Sequence, residues 1–243
     1  MKTCVILPAA GSSSRFGTRE KKQFTELEGR AVWLRTVELF CNREDVCQIM
    51  LVIHPDDREL VLRRYSANLA FLGVQVVEGG EERCDSVQNA LHQVSPEATH
   101  VAIHDAVRPC VEKKHIDAVF QAAMKHEAAI LATPMVHTLK RANGEGFIET
   151  TLPRKGLWLA QTPQVFRKDL LWKAYGNRPE NLVPTDDSEL VEAYGHPVRL
   201  VECDLTNLKI TTANDLLLAA SIHQGRPKPT ERRFHPFHED EDQ

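Results

Sequence analysis

The chain has 243 residues and a formal net charge of −4; 42% of its residues are apolar and 26% are charged. This composition is that of an ordinary globular protein and excludes a disordered or fibrous chain, and the length suits one large α/β domain or two small ones. The mild acidic excess and the lack of a broad basic face in the sequence argue against a nucleic-acid partner. No apolar run is long enough to cross a bilayer.

Six cysteines are scattered along the chain, without a Cys-x-x-Cys pair or a close Cys/His pair. In a protein of this size, such a distribution is typical of reduced, mostly buried thiols. We therefore predict neither a disulfide framework nor a zinc site. The N-terminal apolar run is too short for the core of a signal peptide, so we expect the protein to reside in the cytoplasm.

Short β-rich runs alternate with helical patterns along most of the chain. The predicted strands are 3–7, 48–53, 74–77, 100–104, 128–133 and 198–201. Apolar residues at helical spacing lie between them, at 32–40, 60–65, 87–94 and 116–123. This alternation predicts right-handed crossovers and a doubly wound, mainly parallel α/β sheet. Ligands of such sheets bind beyond the carboxyl ends of the strands.

The loop after the first predicted strand reads Pro-Ala-Ala-Gly-Ser-Ser-Ser-Arg-Phe-Gly-Thr-Arg-Glu-Lys-Lys from Pro8 to Lys22. Small residues let a backbone approach a ligand closely, and a loop whose cations outnumber its single acid, Glu20, favours phosphate. The spacing of Gly11 and Gly17 does not match the Walker pattern, and no Gly-x-Gly-x-x-Gly occurs. The loop therefore predicts a polyphosphate site. An ordinary basic surface loop would explain the charge but not the small residues.

A second cluster, Gly-Gly-Glu-Glu-Arg-Cys-Asp-Ser, follows the third predicted strand from Gly79 to Ser86. The paired glycines permit close approach of the backbone, and the free N–H groups of the following helix start can bind an anion or a polar base edge. A plain turn with a helix cap is the alternative interpretation.

A third cluster, His-Asp-Ala-Val-Arg-Pro, follows the fourth predicted strand from His104 to Pro109. A carboxylate such as Asp105 at the end of a buried strand is costly to desolvate unless it meets a cation, a metal or a hydroxyl. A structural pair of Asp105 with Arg108 is one interpretation. Beside a polyphosphate loop, Mg²⁺ or substrate hydroxyls are the better candidates.

Residues 135–160 break the alternation and predict a β-hairpin around the Gly-containing turn at 143–146. The hairpin has too few apolar residues to form its own core, so we expect it to project as an arm that a second subunit stabilises. Packing on the edge of its own sheet is the alternative. Residues 225–243 read as a mobile, charged tail beyond a single domain of residues 1–224.

In this order, the motifs closely resemble those of the 2-C-methyl-D-erythritol 4-phosphate cytidylyltransferases. The resemblance runs from about residue 3 to residue 223. It rests on the Pro-Ala-Ala-Gly loop with Arg15 and Lys22, the Gly-Gly-x-x-Arg-x-x-Ser-Val turn, His-Asp-Ala-x-Arg-Pro, Thr-Pro-Gln and Asn-x-Lys-Ile-Thr. Two departures are Lys21, where the family often has proline, and Glu81, where it often has Asp.

The resemblance implies the nucleotide-transferase variant of the doubly wound sheet, CTP and a polyol phosphate as substrates, Mg²⁺ as cofactor, and a homodimer formed through the arm. The implied nucleotide-binding residues are Pro8, Ala9, Ala10, Gly11, Gly80, Glu81, Ser86 and Ala106. The implied catalytic residues are Arg15, Lys22, Arg154 and Lys209. The implied second-substrate residues are Asp105, Arg108, Thr138, Arg154, Thr162, Thr185 and Lys209. Asp105 is also the expected metal ligand, directly or through water.

The sequence is compatible with two other functions. A close relative that makes CDP-ribitol from ribitol 5-phosphate would share the CTP loops, although Asp85 favours the methylerythritol enzyme. A nucleotide-binding module without catalysis is the other alternative. The joint presence of Arg15, Lys22, Asp105 and Lys209 argues against it, because a site that only binds has no need of cations placed for a transition state.

Overall fold

The computed structural model describes residues 1–11, 16, 21–179 and 181–226. Its strands are β1 (Thr3–Pro8), β2 (Glu26–Leu27), β3 (Arg30–Ala31), β4 (Val46–Ile53), β5 (Val74–Glu78), β6 (His100–Ile103), β7 (Ala128–Pro134), β8 (Leu139–Ala142), β9 (Ile148–Leu152), β10 (Trp158–Arg167) and β11 (Arg199–Glu202). Its helices are α1 (Val32–Glu38), α2 (Arg58–Leu72), α3 (Arg83–Leu91), α4 (Lys113–His126), α5 (Lys168–Gly176), α6 (Asp187–Ala193) and α7 (Ala213–Gly225).

Seven of the strands form the central sheet, in the order β11-β7-β10-β6-β1-β4-β5. All neighbouring pairs are parallel except those of β10, which runs antiparallel to both β6 and β7. The predicted doubly wound, mainly parallel sheet is therefore confirmed. Each predicted strand is present, with ends that differ by one or two residues.

Strand β10 was not predicted from the sequence. It contains the Thr162-Pro163-Gln164 segment, and a proline within a run usually argues against a central strand. The strand accommodates the proline because its pairing with β7 shifts register between Ala160 and Gln164.

Helices cover both faces of the sheet, and β1 shows why. Its residues Cys4 to Leu7 are fully buried, but they alternate between two apolar clusters. Val5 and Leu7 belong to the cluster that contains Trp33, whereas Cys4 and Ile6 belong to the cluster that contains Val87. A strand that is apolar on both sides must be covered on both sides, so the carboxyl end of β1, where Ala9 follows, has a fixed place in the fold.

Strands β8 and β9 pair as an antiparallel hairpin in a separate two-stranded sheet. Their side chains are mostly exposed, including Phe147 in the turn and Ile148 at the start of β9. The hairpin predicted from the sequence is therefore present. Its contact with a second subunit stays a prediction.

The predicted end of the domain falls inside α7, which continues to Gly225. The remainder of the predicted tail, residues 227–243, lies outside the described residues. Among the helices described, each is too short or too polar to span a membrane.

Candidate active site

A cavity of about 450 Å³ opens at the carboxyl ends of β1, β5 and β6, and we call it the first cavity. The described residues of the loop after β1, the turn after β5 and the segment after β6 converge on it. The predicted site residues that line this cavity are Pro8, Ala9, Ala10, Gly11, Lys22, Gly80, Glu81, Ser86, Asp105 and Lys209. The predicted nucleotide loops therefore surround one space.

The turn after β5 needs both of its glycines. A Cβ atom on Gly79 would lie 2.7 Å from Ser86 Oγ and 2.9 Å from the Cβ of Ala10, and one on Gly80 would lie 2.6 Å from the Cβ of Asp85. Any side chain at these positions would push the turn away from α3 and from the loop after β1. The Gly80 N–H donates to Ser86 Oγ at 3.1 Å, which fixes the turn at the edge of the cavity.

Two lysines that are adjacent in the sequence have different surroundings. Lys21 Nζ lies 2.8 Å from each carboxylate oxygen of Asp57, a residue on the short 3₁₀ turn after β4. Lys22 lines the first cavity instead. Behind it, the buried Gln23 side chain donates to the Ala9 carbonyl at 2.8 Å and holds the start of the loop. The other predicted catalytic cation of this loop, Arg15, lies outside the described residues.

Asp105 is surrounded by three cationic side chains. Lys209 Nζ and Arg108 Nε each lie 3.1 Å from its Oδ2 atom, and Arg83 Nε lies 3.8 Å from its Oδ1 atom. Burial alone would raise the pKa of the Asp105 carboxyl, but these cations hold it well below its ordinary value. Asp105 is therefore an anion that keeps positive charge concentrated at one point of the site.

A buried hydrogen-bond chain supports Asp105 from behind. The Asp105 N–H donates to Thr162 Oγ1 at 3.1 Å, and this hydroxyl contacts His104 Nδ1 at 3.0 Å. The Nε2 atom of His104 lies 3.1 Å from the Arg108 carbonyl. Burial lowers the pKa of the fully buried His104 to about 4, so the ring is neutral near pH 7.

His104 makes the fold sensitive to acid. Its pKa of about 4 in the folded state lies below the ordinary 6.5, so the unfolded chain binds more protons between these values. We expect the free energy of unfolding to fall by roughly 3 kcal/mol as the pH drops from about 6.5 to about 4. Urea unfolding across this range measures the slope. His104→Gln should flatten it, and an equally steep slope in that variant would assign the effect to other groups.

A second cavity of about 200 Å³ adjoins the first, and the two share Arg83, Asp105 and Lys209. Its lining includes the predicted second-substrate residues Arg108, Thr162 and Thr185. Thr185 binds Glu189 in the first turn of α6, with Oγ1 at 3.0 Å from Oε2. Asp186 is the N-cap of this helix and accepts from the Glu189 N–H at 3.0 Å.

Three predicted site residues line neither cavity within the described part of the chain. Ala106 is fully buried, with its N–H donating to the Pro8 carbonyl at 3.3 Å and its carbonyl accepting from Thr36. Thr138 and Arg154 are exposed near the base of the hairpin, where Arg154 Nη1 donates to a neighbouring carbonyl. The structure brings the other described candidates together but leaves these three outside.

Several residues of the site were not assigned from the sequence. Arg83, Gln23 and His54 line the first cavity, and Gln161 lines the second. Asn207 is buried and donates to both the Gln161 side chain and the Thr162 carbonyl at 2.8 Å. Arg83 lies within a motif that the sequence singled out, so its charge beside the paired glycines was an available signal. Asn207 opens the Asn-x-Lys-Ile-Thr motif and carried a signal of the same kind, whereas Gln161 carried none, because its partners are distant in sequence.

The family model described as "2-C-methyl-D-erythritol 4-phosphate cytidylyltransferase" matches residues 3–224. The chain belongs to this family. Two relatives carry the same name. The one from Rhodopirellula baltica is 41% identical over 229 residues, covering 90% of this chain and 93% of that protein. The one from Endomicrobium trichonymphae is 40% identical, covering 91% of this chain and 99% of that protein.

Solved structures of cytidylyltransferases from this family share the fold. The 2-C-methyl-D-erythritol 4-phosphate cytidylyltransferase of Thermus thermophilus superposes with a TM-score of 0.76 and 32% identity, over 92% of this chain and all of that one (100%). A structure called 4-diphosphocytidyl-2C-methyl-D-erythritol synthase gives a TM-score of 0.77 with 30% identity. The resemblance inferred from the motifs is therefore confirmed at the level of family and fold.

Proposed function

We propose that this protein transfers the cytidylyl group of CTP to 2-C-methyl-D-erythritol 4-phosphate, giving 4-diphosphocytidyl-2-C-methyl-D-erythritol and pyrophosphate. Family membership supports this reaction over the synthesis of CDP-ribitol and over binding without catalysis. The observation that carries the proposal is the pair of adjoining cavities that share Asp105, Lys209 and Arg83. Two substrates can meet there, one from each side.

The chemistry requires no general base from the protein. An oxygen of the phosphomonoester, already anionic near neutral pH, attacks the α-phosphorus of CTP, and the bond from that phosphorus to the bridging oxygen of pyrophosphate breaks. The protein must hold the reactants in line and stabilise the charge that develops on the phosphoryl oxygens. A site built from cations and backbone N–H groups fits this requirement.

The first cavity would hold CTP, with its phosphates near the loop after β1 and its base at the turn after β5. Lys22 lines this cavity and would stabilise the transition state, together with Arg15. The second cavity would hold the polyol phosphate. Two anions at contact repel by roughly 1–4 kcal/mol per pair of unit charges, and Lys209 and Arg108 would offset this repulsion.

Mg²⁺ is the cofactor we propose, and the site fits it through outer-sphere contacts. The Asp105 carboxylate already faces three cations, so direct ligation would have to displace them. Mg²⁺ retains several waters and is commonly held by one or two carboxylates and the substrate phosphates. Asp105 would therefore hold the ion through water. When bound, the ion would neutralise the charge of the triphosphate.

We also propose a homodimer in which the hairpin arm of one subunit reaches the second cavity of its partner. This arrangement is supported by the exposed position of Thr138 and Arg154, which line neither cavity of their own chain as far as it is described.

The cytoplasm is the compartment we propose, supported by six free thiols.

The proposed reaction is tested by pyrophosphate release with 2-C-methyl-D-erythritol 4-phosphate and ribitol 5-phosphate in parallel. ATP, GTP and UTP serve as controls for CTP. We expect release with CTP and the methylerythritol substrate at a rate far above every other combination. Faster release with ribitol 5-phosphate would favour the alternative enzyme, and release with neither polyol phosphate would favour a binding module.

The arm is tested by a pair of variants. Arg154→Ala should raise the KM for the polyol phosphate and leave CTP binding unchanged, because Arg154 would contact the incoming phosphate only. Mixing it with Lys22→Ala gives mixed dimers in which one site of two keeps both residues. At a polyol phosphate concentration far below the raised KM of Arg154→Ala, where both parent variants are nearly inactive, activity should return to about one quarter of that of the unmodified protein after random exchange. No recovery despite verified subunit exchange would show that each site is complete within one chain.

A further inference from the structure

Arg83 joins the two cavities. It is the first residue of α3, directly after the turn that borders the first cavity, and its side chain lines both cavities. The guanidinium lies between two carboxylates from distant parts of the chain. One is Asp105 after β6, and the other is Asp187 at the start of α6.

The Asp187 end of this arrangement is a buried anchor. Arg83 Nη2 lies 2.7 Å from Asp187 Oδ2, and the Asp187 residue is only 1% exposed. Tyr175 Oη donates to Asp187 Oδ1 at 2.6 Å, and the Asp187 N–H donates to Gln164 Oε1 at 3.1 Å. Arg83 and Tyr175 each contact one oxygen of this carboxylate, and Gln164 holds its backbone N–H. The guanidinium therefore has little freedom, because moving it would strand a buried charge.

The Asp105 end reaches the proposed reaction centre. Arg83 is the cation on the Oδ1 atom of Asp105, while Arg108 and Lys209 share the Oδ2 atom. The planar guanidinium can face Asp105 through Nε and Asp187 through Nη2 at the same time, which a single ammonium group cannot do. At 3.8 Å, Arg83 thus attracts the Oδ1 side of the carboxylate whose Oδ2 atom Lys209 contacts.

We propose that Arg83 is a positioning residue for the transfer reaction: anchored by Asp187 and Tyr175, it holds Asp105, and through it Lys209, between the two substrates. The inference rests on the proposed function. Arg83 would act through other groups, and it connects the turn after β5 with the segment that contains Thr185. Loss of Arg83 should therefore affect the second substrate and turnover more than the affinity for CTP.

The test compares steady-state constants and CTP affinity in variants of the full chain. Arg83→Gln should raise the KM for the polyol phosphate and lower kcat, each by roughly tenfold or more, while the Kd of CTP measured by calorimetry changes by less than about threefold. Arg83→Lys should recover only part of the loss. In Arg83→Ala, millimolar guanidinium ion should restore turnover.

A double variant and a matched single variant distinguish a kinetic effect of Arg83 from an effect on stability. The double variant Arg83→Gln/Asp187→Asn removes both charges together, so no buried ion is stranded, and it should fold while keeping the kinetic defect. Arg178→Ala is the matched control, since Arg178 contacts Asp85 in the same first turn of α3 at 3.1 Å but lines neither cavity within the described residues. Its constants should stay within about twofold of those of the unmodified protein.

The results of these experiments distinguish a failure of the proposed function from a failure of the proposed role of Arg83. Unmodified protein that releases no pyrophosphate would overturn the proposed function, and the role of Arg83 with it. Active unmodified protein whose folded double variant shows the same KM and kcat would overturn the role of Arg83 alone. Equal losses of CTP affinity and of turnover, without rescue by guanidinium, would show that Arg83 only supports the fold.

Discussion

Lys22→Ala should reduce cytidylyl transfer by at least about a hundredfold, because it removes a cation that lines the cavity where the triphosphate would react. Removing one group that stabilises the transition-state charge typically lowers kcat by this amount or more. The measurement is pyrophosphate release at saturating CTP and polyol phosphate. Circular dichroism should show an unchanged fold, since Lys22 lies on a loop outside the sheet and the helices.

Lys21→Ala is the control for this experiment, because Lys21 carries the same charge as Lys22 but has a different contact. Lys21 is paired with Asp57 and does not line the first cavity. Its loss leaves the buried Asp57 carboxylate without this partner, so it should lower the free energy of unfolding by about 1–3 kcal/mol but leave kcat nearly unchanged. Equal activity losses in the two variants would indicate a general effect of loop charge, and near-normal turnover in Lys22→Ala would remove this residue from the mechanism.

Asp105→Asn should have the largest effect on stability. The substitution keeps the shape of the side chain but leaves Lys209, Arg108 and Arg83 without their shared counter-ion. Breaking a buried ion pair destabilises a protein by about 3–5 kcal/mol, which corresponds to a fall in Tm of roughly 6–20 °C at this size. Differential scanning calorimetry at pH 7 measures it. Asp56→Asn, an exposed control, should shift Tm by no more than about 2 °C.

The same variant separates binding from catalysis. With Asp105 neutral, the surrounding cations lose their internal anion, so pyrophosphate should bind more tightly even as transfer slows. Tighter binding together with slower turnover would show that Asp105 orients these cations for the reaction. A variant as stable as the original protein, with unchanged anion affinity, would contradict the charge balance described for this site.

Some elements of the fold were predictable from the sequence and others were not, for physical reasons. Strand β1 and the glycine turn were predictable because their signals are local: an apolar run buried on both faces, and two glycines without room for a Cβ atom. Strand β10 was not, because its pairing depends on distant partners that accommodate Pro163. Local pattern therefore predicted the loops of the site and the parallel part of the sheet.

The site shows the same division. Lys22 of the first loop and the Asp105 motif were recognisable by residue type, and Lys22 and Asp105 line the same cavity. The anchor formed by Asp187 and Tyr175 was not predictable, because neither residue lies near Arg83 in sequence and each alone resembles an ordinary helix residue. Long-range contacts between polar groups leave no periodic signal for the sequence to carry.

The most direct measurement follows a radiolabel placed on the α-phosphorus of CTP. If the two cavities bring a phosphate oxygen to that atom, the label must appear in a product that also contains the methylerythritol group, while a label on the γ-phosphorus leaves in pyrophosphate. Label found only in CMP or CDP would mean that water or another acceptor attacks the nucleotide. That result would contradict the joining of two substrates at Asp105 and Lys209.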